Sequence, residues 1–413
     1  MFTSFSTALS GLNANTTAID VTGNNLANLN TTGFKESTVS FHDLVTESIG
    51  AGLGSTQVGF GVGTPITLRQ FSQGAIQSTG GPLDAAIQGD GFFVVMDGSQ
   101  VEYTRGGNFQ VDPAGNLITA TGQKVQGWSM TNGVLDTNTP IGNITVPTGT
   151  LTAPLATTTT SVDLNLASTA TAGPPADSFS TSVQVYDSLG TSHIITYTFT
   201  KTATANQWNF SVTVPNADLN APFTPVTGTL KFDSNGNLTS PAAVGGPIPI
   251  PITGLADGAS DMAVNWNLYN GTSPRITQYA QPSAASAVAQ NGSPAANLIS
   301  VGLADGGQVL ARYSNGSQVV VGQMALATVR NPQSLIAIGN NNFETGAATA
   351  LPAIGMPGTG GRGLVLGGSV EASTVDIAKE FTNLIIYQRG YQANAKLITT
   401  VDQISQDTIN LKQ

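Results

Sequence analysis

The chain has no cysteine. Disulfides, thiolate nucleophiles and cysteine-ligated metals are therefore excluded, and redox compartment leaves no mark on the composition. Charge is scarce too: Asp, Glu, Lys and Arg make up 9% of 413 residues, against about 25% in ordinary soluble domains. The balance is acidic, a net −10, which argues against nucleic acid or an anionic membrane as a partner. No run of about eighteen apolar residues occurs, so no membrane-inserted helix is expected. The start, MFTSFSTALSG, lacks the basic and apolar regions of a cleaved secretory leader. Histidine is limited to His42 and His193, in separate predicted domains. Neither has a cysteine partner for a nucleophile or a typical zinc site, and both read as turn or surface residues.

Hydrophobic residues nonetheless make up 40%, so this is no disordered solvating chain. The length suits about three domains. Gly, Thr, Ser, Asn and Ala are in surplus, as in turn-rich β structure with neutral polar surfaces. Two stretches place side-chain oxygens in patterns that bear on chemistry. Asp233-Ser234-Asn235-Gly236-Asn237 carries oxygens like a calcium loop, but Leu238 stands where glycine is needed and Val244 where the bidentate glutamate belongs. It reads as a hairpin turn. Asp257 and Asp261, beside Gly258, read as a solvated turn rather than an acid–base pair. No catalytic residue, metal or cofactor is expected.

The two ends differ from everything between them. From Val370 to Leu411 there is no proline and one glycine, Gly390. Ile377, Leu384, Tyr391 and Ile398 recur every seven residues, with Phe381 and Ala395 at the intermediate step. That is the seam of a helix packed along a partner helix. Beyond it the apolar positions drift to Val401, Ile404 and Leu411. Such a helix would be roughly 60 Å long. At the other end Phe5, Leu12, Ile19 and Leu26 are spaced by seven, with Phe2 and Leu9 at the second seam position. Asp20 is the lone charge before Lys35, so this helix needs neighbours on several sides. Periodicity alone leaves open two helices closing one domain or a coiled coil between chains.

The residues themselves narrow the choice. SGLNANTTAIDVTGNNLANLNTTGFK (10–35) resembles the N-terminal signature of the bacterial flagellar rod and hook family. VDIAKEFTNLIIYQRGYQANAKLITTVDQISQDTINL (375–411) resembles its C-terminal signature. GPLDAAIQGDGFFVV, with YTRGGNFQVDPAGNLITATGQKVQGW, resembles the first half of the family's inner β domain; NLISVGLADGGQVLARYSNGSQVVVGQMALATVRNP (297–332) is a second strand series downstream. Between them a meander is legible by alternation. Phe179, Val183 and Val185 share one face, Asp187 to Gly190 turn, and Ile195, Tyr197 and Phe199 follow; Trp208, Phe210, Val212 and Val214 form a third strand. YDSLGTSH (186–193) resembles the outer domain of the family's hook branch.

The expected architecture is multidomain: paired N- and C-terminal α-helices (a coiled coil) plus two nested, mainly-β domains. Residues 1–35 and 366–413 form a terminal helical axial domain and 36–75 an extended connector, for which VGFGVG (58–63) suggests flexibility. Residues 76–147 and 286–365 form an inner β domain, and 148–285 an outer one. The resemblance implies a non-enzymatic subunit that polymerises with itself into a helical tube, a flexible joint passing motor torque. Its implied partners are rod, hook-cap and hook-filament junction proteins. Flagellar export without a cleaved signal would place it outside the cell. The assembly interface is expected at Phe5, Leu9, Leu12, Ile19, Leu26, Ile377, Phe381, Leu384, Tyr391 and Ile398. A distal rod subunit is the next reading, disfavoured by the large insert. From another class comes a secreted β-rich glycan-binding protein whose helices merely close a domain.

Overall fold

The computed structural model describes residues 2–44, 46–49, 56–130, 135–149 and 151–410. Of the expected helix seam, Leu411 and the side chain of Phe2 lie outside the described residues. The chain forms two units: 1–148 with 300–312 and 318–413, and 149–299 with 313–317.

The first unit begins and ends in helix. Helix α1 is Phe2–Ala27 and helix α2 is Ile377–Asn410. Asp376 caps α2: its Oδ1 accepts the Ala378 and Lys379 amides at 2.8 and 3.1 Å. Those are two of the donors that every helix start leaves without an internal partner. After α1 the chain does not run on as a single extended connector. Ser37–Ser40 pairs antiparallel with Ile66–Arg69, and Thr46–Ile49 with Thr56–Gly59, so the segment folds back on itself.

The main sheet of this unit draws on both halves of the sequence. Phe92–Asp97 and Gln100–Thr104 form a hairpin, with Lys124–Ser129 beside the first strand. Gln318–Met324 then joins Lys124–Ser129, Met324 opposite Gly127, while Asn342–Glu344 joins Gln100–Thr104. The period-two pattern puts Phe92, Val94, Tyr103, Trp128 and Phe343 into one buried cluster. Phe71, Phe92 and Phe343 meet edge to face there, their centroids 5.4 to 6.0 Å apart.

The second unit is two sheets around one core. One is an antiparallel meander of Ser178–Tyr186, Ser192–Lys201, Gln207–Thr213, Val226–Phe232 and Leu238–Ser240. The other centres on Thr159–Ala167, parallel to Met262–Asn267 and Ile276–Tyr279 and antiparallel to Ala284–Gln290. Alternation read from the sequence matches burial: Val183, Val185, Ile195, Tyr197, Phe199, Trp208, Phe210, Val212 and Val214 all lie in the core. Trp266 stands at its centre, against Tyr197, Phe199 and Phe210. The Asp233 stretch is a hairpin turn, its Oδ1 accepting the Asn235 and Asn237 amides at 2.9 and 2.8 Å.

Candidate assembly interface

Helices α1 and α2 lie antiparallel against each other. Gly11 faces Asn394, Asn15 faces Gly390, and Asn25 faces Glu380, so rising numbers on one meet falling numbers on the other. The buried face of α1 is made of small or polar residues: Ala8, Gly11, Ala14, Ala18, Thr22 and Asn25. They recur at steps of three and four, the spacing of one helical face. Their size lets the backbones approach. A Cβ on Gly11 would lie 2.9 Å from Asn394 Nδ2, and one on Gly390 would lie 2.6 Å from Asn15 Oδ1. Each asparagine is also held on its own helix, Asn15 Nδ2 donating to Gly11 O at 2.7 Å and Asn394 Nδ2 to Gly390 O at 3.0 Å. Two Gly–Asn pairs thus interlock across the helices.

The large apolar seam residues are not what closes this pair. Phe5 and Leu9 are 42% and 43% exposed, and Leu12, Ile19 and Leu26 are half-buried. On α2, Ile377, Phe381 and Tyr391 are exposed, and Leu384 and Ile398 half-buried. The seven-residue reading followed the bulkiest side chains, whereas contact inside the chain goes to the smallest. Ile404, on the drifting end of the stripe, is exposed as well, and so are Ile385, Ile386 and Leu397, which were missed. Their signal was present: Leu384, Ile385 and Ile386 in succession put apolar surface on more than one face of a helix.

At the foot of the helices sits a dry ion cluster. Glu371, wholly buried, accepts Lys35 Nζ at 2.6 Å and the Gly74 amide at 2.7 Å on Oε1, and Arg105 Nη1 at 3.1 Å on Oε2. Lys35 Nζ also donates to Ser72 O at 2.6 Å. Burial depresses the Lys35 pKa, with the Glu371 charge pulling it back. Nearer the start of α2, Asn25 donates to Ser37 O at 2.8 Å and accepts the Ser37 amide at 3.0 Å. Lys379 Nζ meets Glu36 Oε1 at 2.9 Å. These contacts fix where the helices leave the sheet.

Of the two histidines, His42 is exposed as expected, but His193 is not a surface residue: it is 4% exposed, inside the second unit. The sequence placed it in a turn signature without its distant partner. Asp187, His193 and Asp257 bring donor atoms within 4.8 Å of one another. Both ring nitrogens face carboxylates, Asp187 on Nε2 and Asp218 on Nδ1. Asp257 is exposed at a turn and accepts the Ala259 amide, while Asp261 accepts that of Gly254. No helix among the described residues is long and apolar enough to cross a membrane.

Comparison with known proteins covers the chain from end to end. Four family models match: flagella basal body rod protein over 5–35, flagellar hook protein FlgE/F/G D1 domain over 86–165, flagellar basal body protein FlaE D2 domain over 156–293, and flagellar basal body rod FlgEFG protein C-terminal over 366–411. The flagellar hook protein FlgE of Borreliella burgdorferi is 33% identical over the full length of both chains. That of Salmonella typhimurium is 36% identical over 99% of this chain and all of its own. In fold, the chain is similar to the crystal structure of Helicobacter pylori flagellar hook protein FlgE2. The TM-score is 0.51 at 13% identity, covering 70% of this chain and 99% of that one.

Proposed function

The chain belongs to the flagellar hook protein family, and from that premise we propose that it is a structural subunit which polymerises with itself into the flagellar hook, a flexible joint passing motor torque outward. The observation that carries this reading is the helix pair. Its small residues are spent on the intramolecular contact, and its large apolar ones are left for other copies. The interface is assigned to Phe5, Leu9, Leu12, Ile19, Leu26, Ile377, Phe381, Leu384, Tyr391 and Ile398, which would pack copy to copy as coiled-coil-like contacts around a channel. Such a subunit works outside the cell, is exported by the flagellar apparatus, and adjoins rod, hook-cap and junction proteins. It carries no catalytic role.

Residues 148–285 are assigned to an outer domain whose contacts between copies are polar and replaceable. Tight apolar interlocking is not continuously deformable. Hydrogen bonds of Thr, Ser and Asn can instead be exchanged at a net cost of about 1 kcal/mol each.

Negative-stain imaging of the purified full chain under assembly conditions tests the reading. Tubes are expected from the native chain. Leu12→Asp and Leu384→Asp should each abolish them while the second unit keeps its unfolding transition, since a charge is costly in a dry contact. Normal tubes from both variants would remove these helices from the interface. A deletion of 148–285 should still give tubes, with altered curvature; a folded but non-polymerising deletion chain would make the outer domain structurally necessary.

A further inference from the structure

His193 is the second residue of the strand Ser192–Lys201, opposite Val185 of the preceding strand, and the alternation of that strand turns its ring inward. Its Nε2 lies 3.0 Å from Asp187 Oδ2, in the turn between the two strands. Its Nδ1 lies 3.1 Å from Asp218 Oδ2, at the end of a short 3-10 turn far along the chain. A neutral imidazole has one N–H and one lone pair, so one of the two carboxylates would face a lone pair with no proton between. The imidazolium satisfies both. Asp257 approaches Asp187 from a third segment. Asp187, Asp218 and Asp257 are the charged groups facing the ring cluster, and no lysine or arginine makes an ion pair with them among the described residues.

We propose that His193 is a proton-operated clasp: doubly protonated, its ring ties the 187–190 turn to the 216–218 turn, and losing that proton as pH rises loosens this end of the second unit. Asp187 is suited to the anchoring role. It is fully buried, and its Oδ1 accepts the Leu189 and Thr191 amides at 2.8 and 2.9 Å. Burial alone would raise its pKa, but the hydrogen bonds from His193 and from those amides bring it down to about 2. For His193 burial disfavours the charge, and the hydrogen bonds and charges of Asp187 and Asp218 outweigh it, so the pKa stands above the ordinary 6.5.

The sign follows from linkage. A group with a raised folded pKa contributes its full stability below the unfolded value, and that contribution is lost as pH rises through the folded value. Asp187, with a lowered folded pKa, contributes above its unfolded value and loses its share only as pH falls through about 2. The clasp therefore opens on the alkaline side.

The test uses the full chain with His42→Gln, leaving His193 as the sole histidine, and Trp128→Phe, leaving Trp208 and Trp266 to report the second unit. Nitrogen NMR of the ring across a pH series should show both nitrogens protonated on the acid side of its titration, with the midpoint above the ordinary 6.5. The urea midpoint read from tryptophan fluorescence should fall as pH rises through the ring's titration, by at most about tenfold in folding constant per pH unit, the limit for one proton. His193→Gln should remove that slope, and Asp218→Asn should move it to lower pH. A ring that titrates at or below 6.5, or a slope that persists in His193→Gln, would overturn the clasp. Should His193→Gln fail to fold, Asp218→Asn decides: an unmoved slope overturns the proposal and a shifted one upholds it.

Discussion

The second unit and the helix pair treat large apolar side chains in opposite ways. In the second unit Trp208, Trp266, Tyr197 and Phe199 are all within 1% of full burial. On the helices Phe5, Phe381, Ile385 and Ile386 are 42% to 58% exposed, while Ala14, Ala18 and Gly11 are hidden. Each fully buried large side chain contributes about 1.5–3 kcal/mol. The second unit gains that within one chain; the helices leave much of theirs exposed. One region is a closed core, and the other, on the proposed assembly, is half of an interface.

The largest effect should come from breaking the finished side of this comparison. Trp266→Ala removes the ring at the centre of the second core, and large-to-small changes of this kind cost about 3–5 kcal/mol. Urea unfolding followed by Trp208 fluorescence should show the loss, while helical circular dichroism stays unchanged at low denaturant. Nearly as large is Glu371→Gln, which tests whether the first unit has an equally dry point. It leaves the Lys35 and Arg105 charges buried without an anion, and breaking one partner of such a cluster costs about 3–5 kcal/mol. Adding Lys35→Met should restore part of the loss. If Glu371→Gln unfolds no more easily than the native chain, water reaches the cluster and its dryness is illusory.

The two regions also differed in how openly the sequence declared them. Strand alternation names the buried face directly, because period two maps side chains to opposite faces without ambiguity. Val183, Val185, Ile195, Tyr197 and Phe199 were therefore legible. For the helices, existence and pairing were legible, but the contact face was not. Ala8, Gly11, Ala14 and Ala18 carry little apolar signal, and what qualifies them is the absence of bulk, which periodicity of large residues cannot register. His193 was misread for a related reason. Its partner Asp187 is six residues away in the same hairpin, but Asp218 and Asp257 arrive through the fold of the sheet, and no local pattern announces them.

A medium effect is expected where small residues set the helix spacing. Gly390→Leu would drive a side chain into Asn15, whose Oδ1 already lies 2.6 Å from the Cβ position. Overpacking of this kind costs about 1–3 kcal/mol, partly offset by the roughly 1 kcal/mol that a helix interior gains on losing glycine. Thermal melting of the free chain should show a modest loss in the helical signal. Tubes should be fewer, because the outward stripe is displaced along with the backbone. Gly390→Ala is the control: Asn15 has a movable end, so the native melting and the native tubes should nearly return. Equal damage from both would mean that the asparagine interlock, not the spacing, holds the pair.

The smallest effect on the folded chain belongs to Phe381→Ser, and it sharpens the comparison most. Phe381 is 47% exposed, and substitutions at such positions change stability by less than about 0.5 kcal/mol. The free chain should melt as the native one does. On the proposed interface a neighbouring copy covers the part of the ring still exposed, which contributes about half of the 1.5–3 kcal/mol of a full burial. The concentration needed for polymerisation should therefore rise by about three- to tenfold, measured by sedimentation of tubes across a dilution series. Phe199→Ser in the second unit gives the opposite pattern, a chain that unfolds early regardless of assembly. A Phe381→Ser chain with lowered stability would mean that its ring already has an internal partner. Unchanged polymerisation would mean that other copies meet the helices elsewhere, and the exposed stripe would lose its assignment.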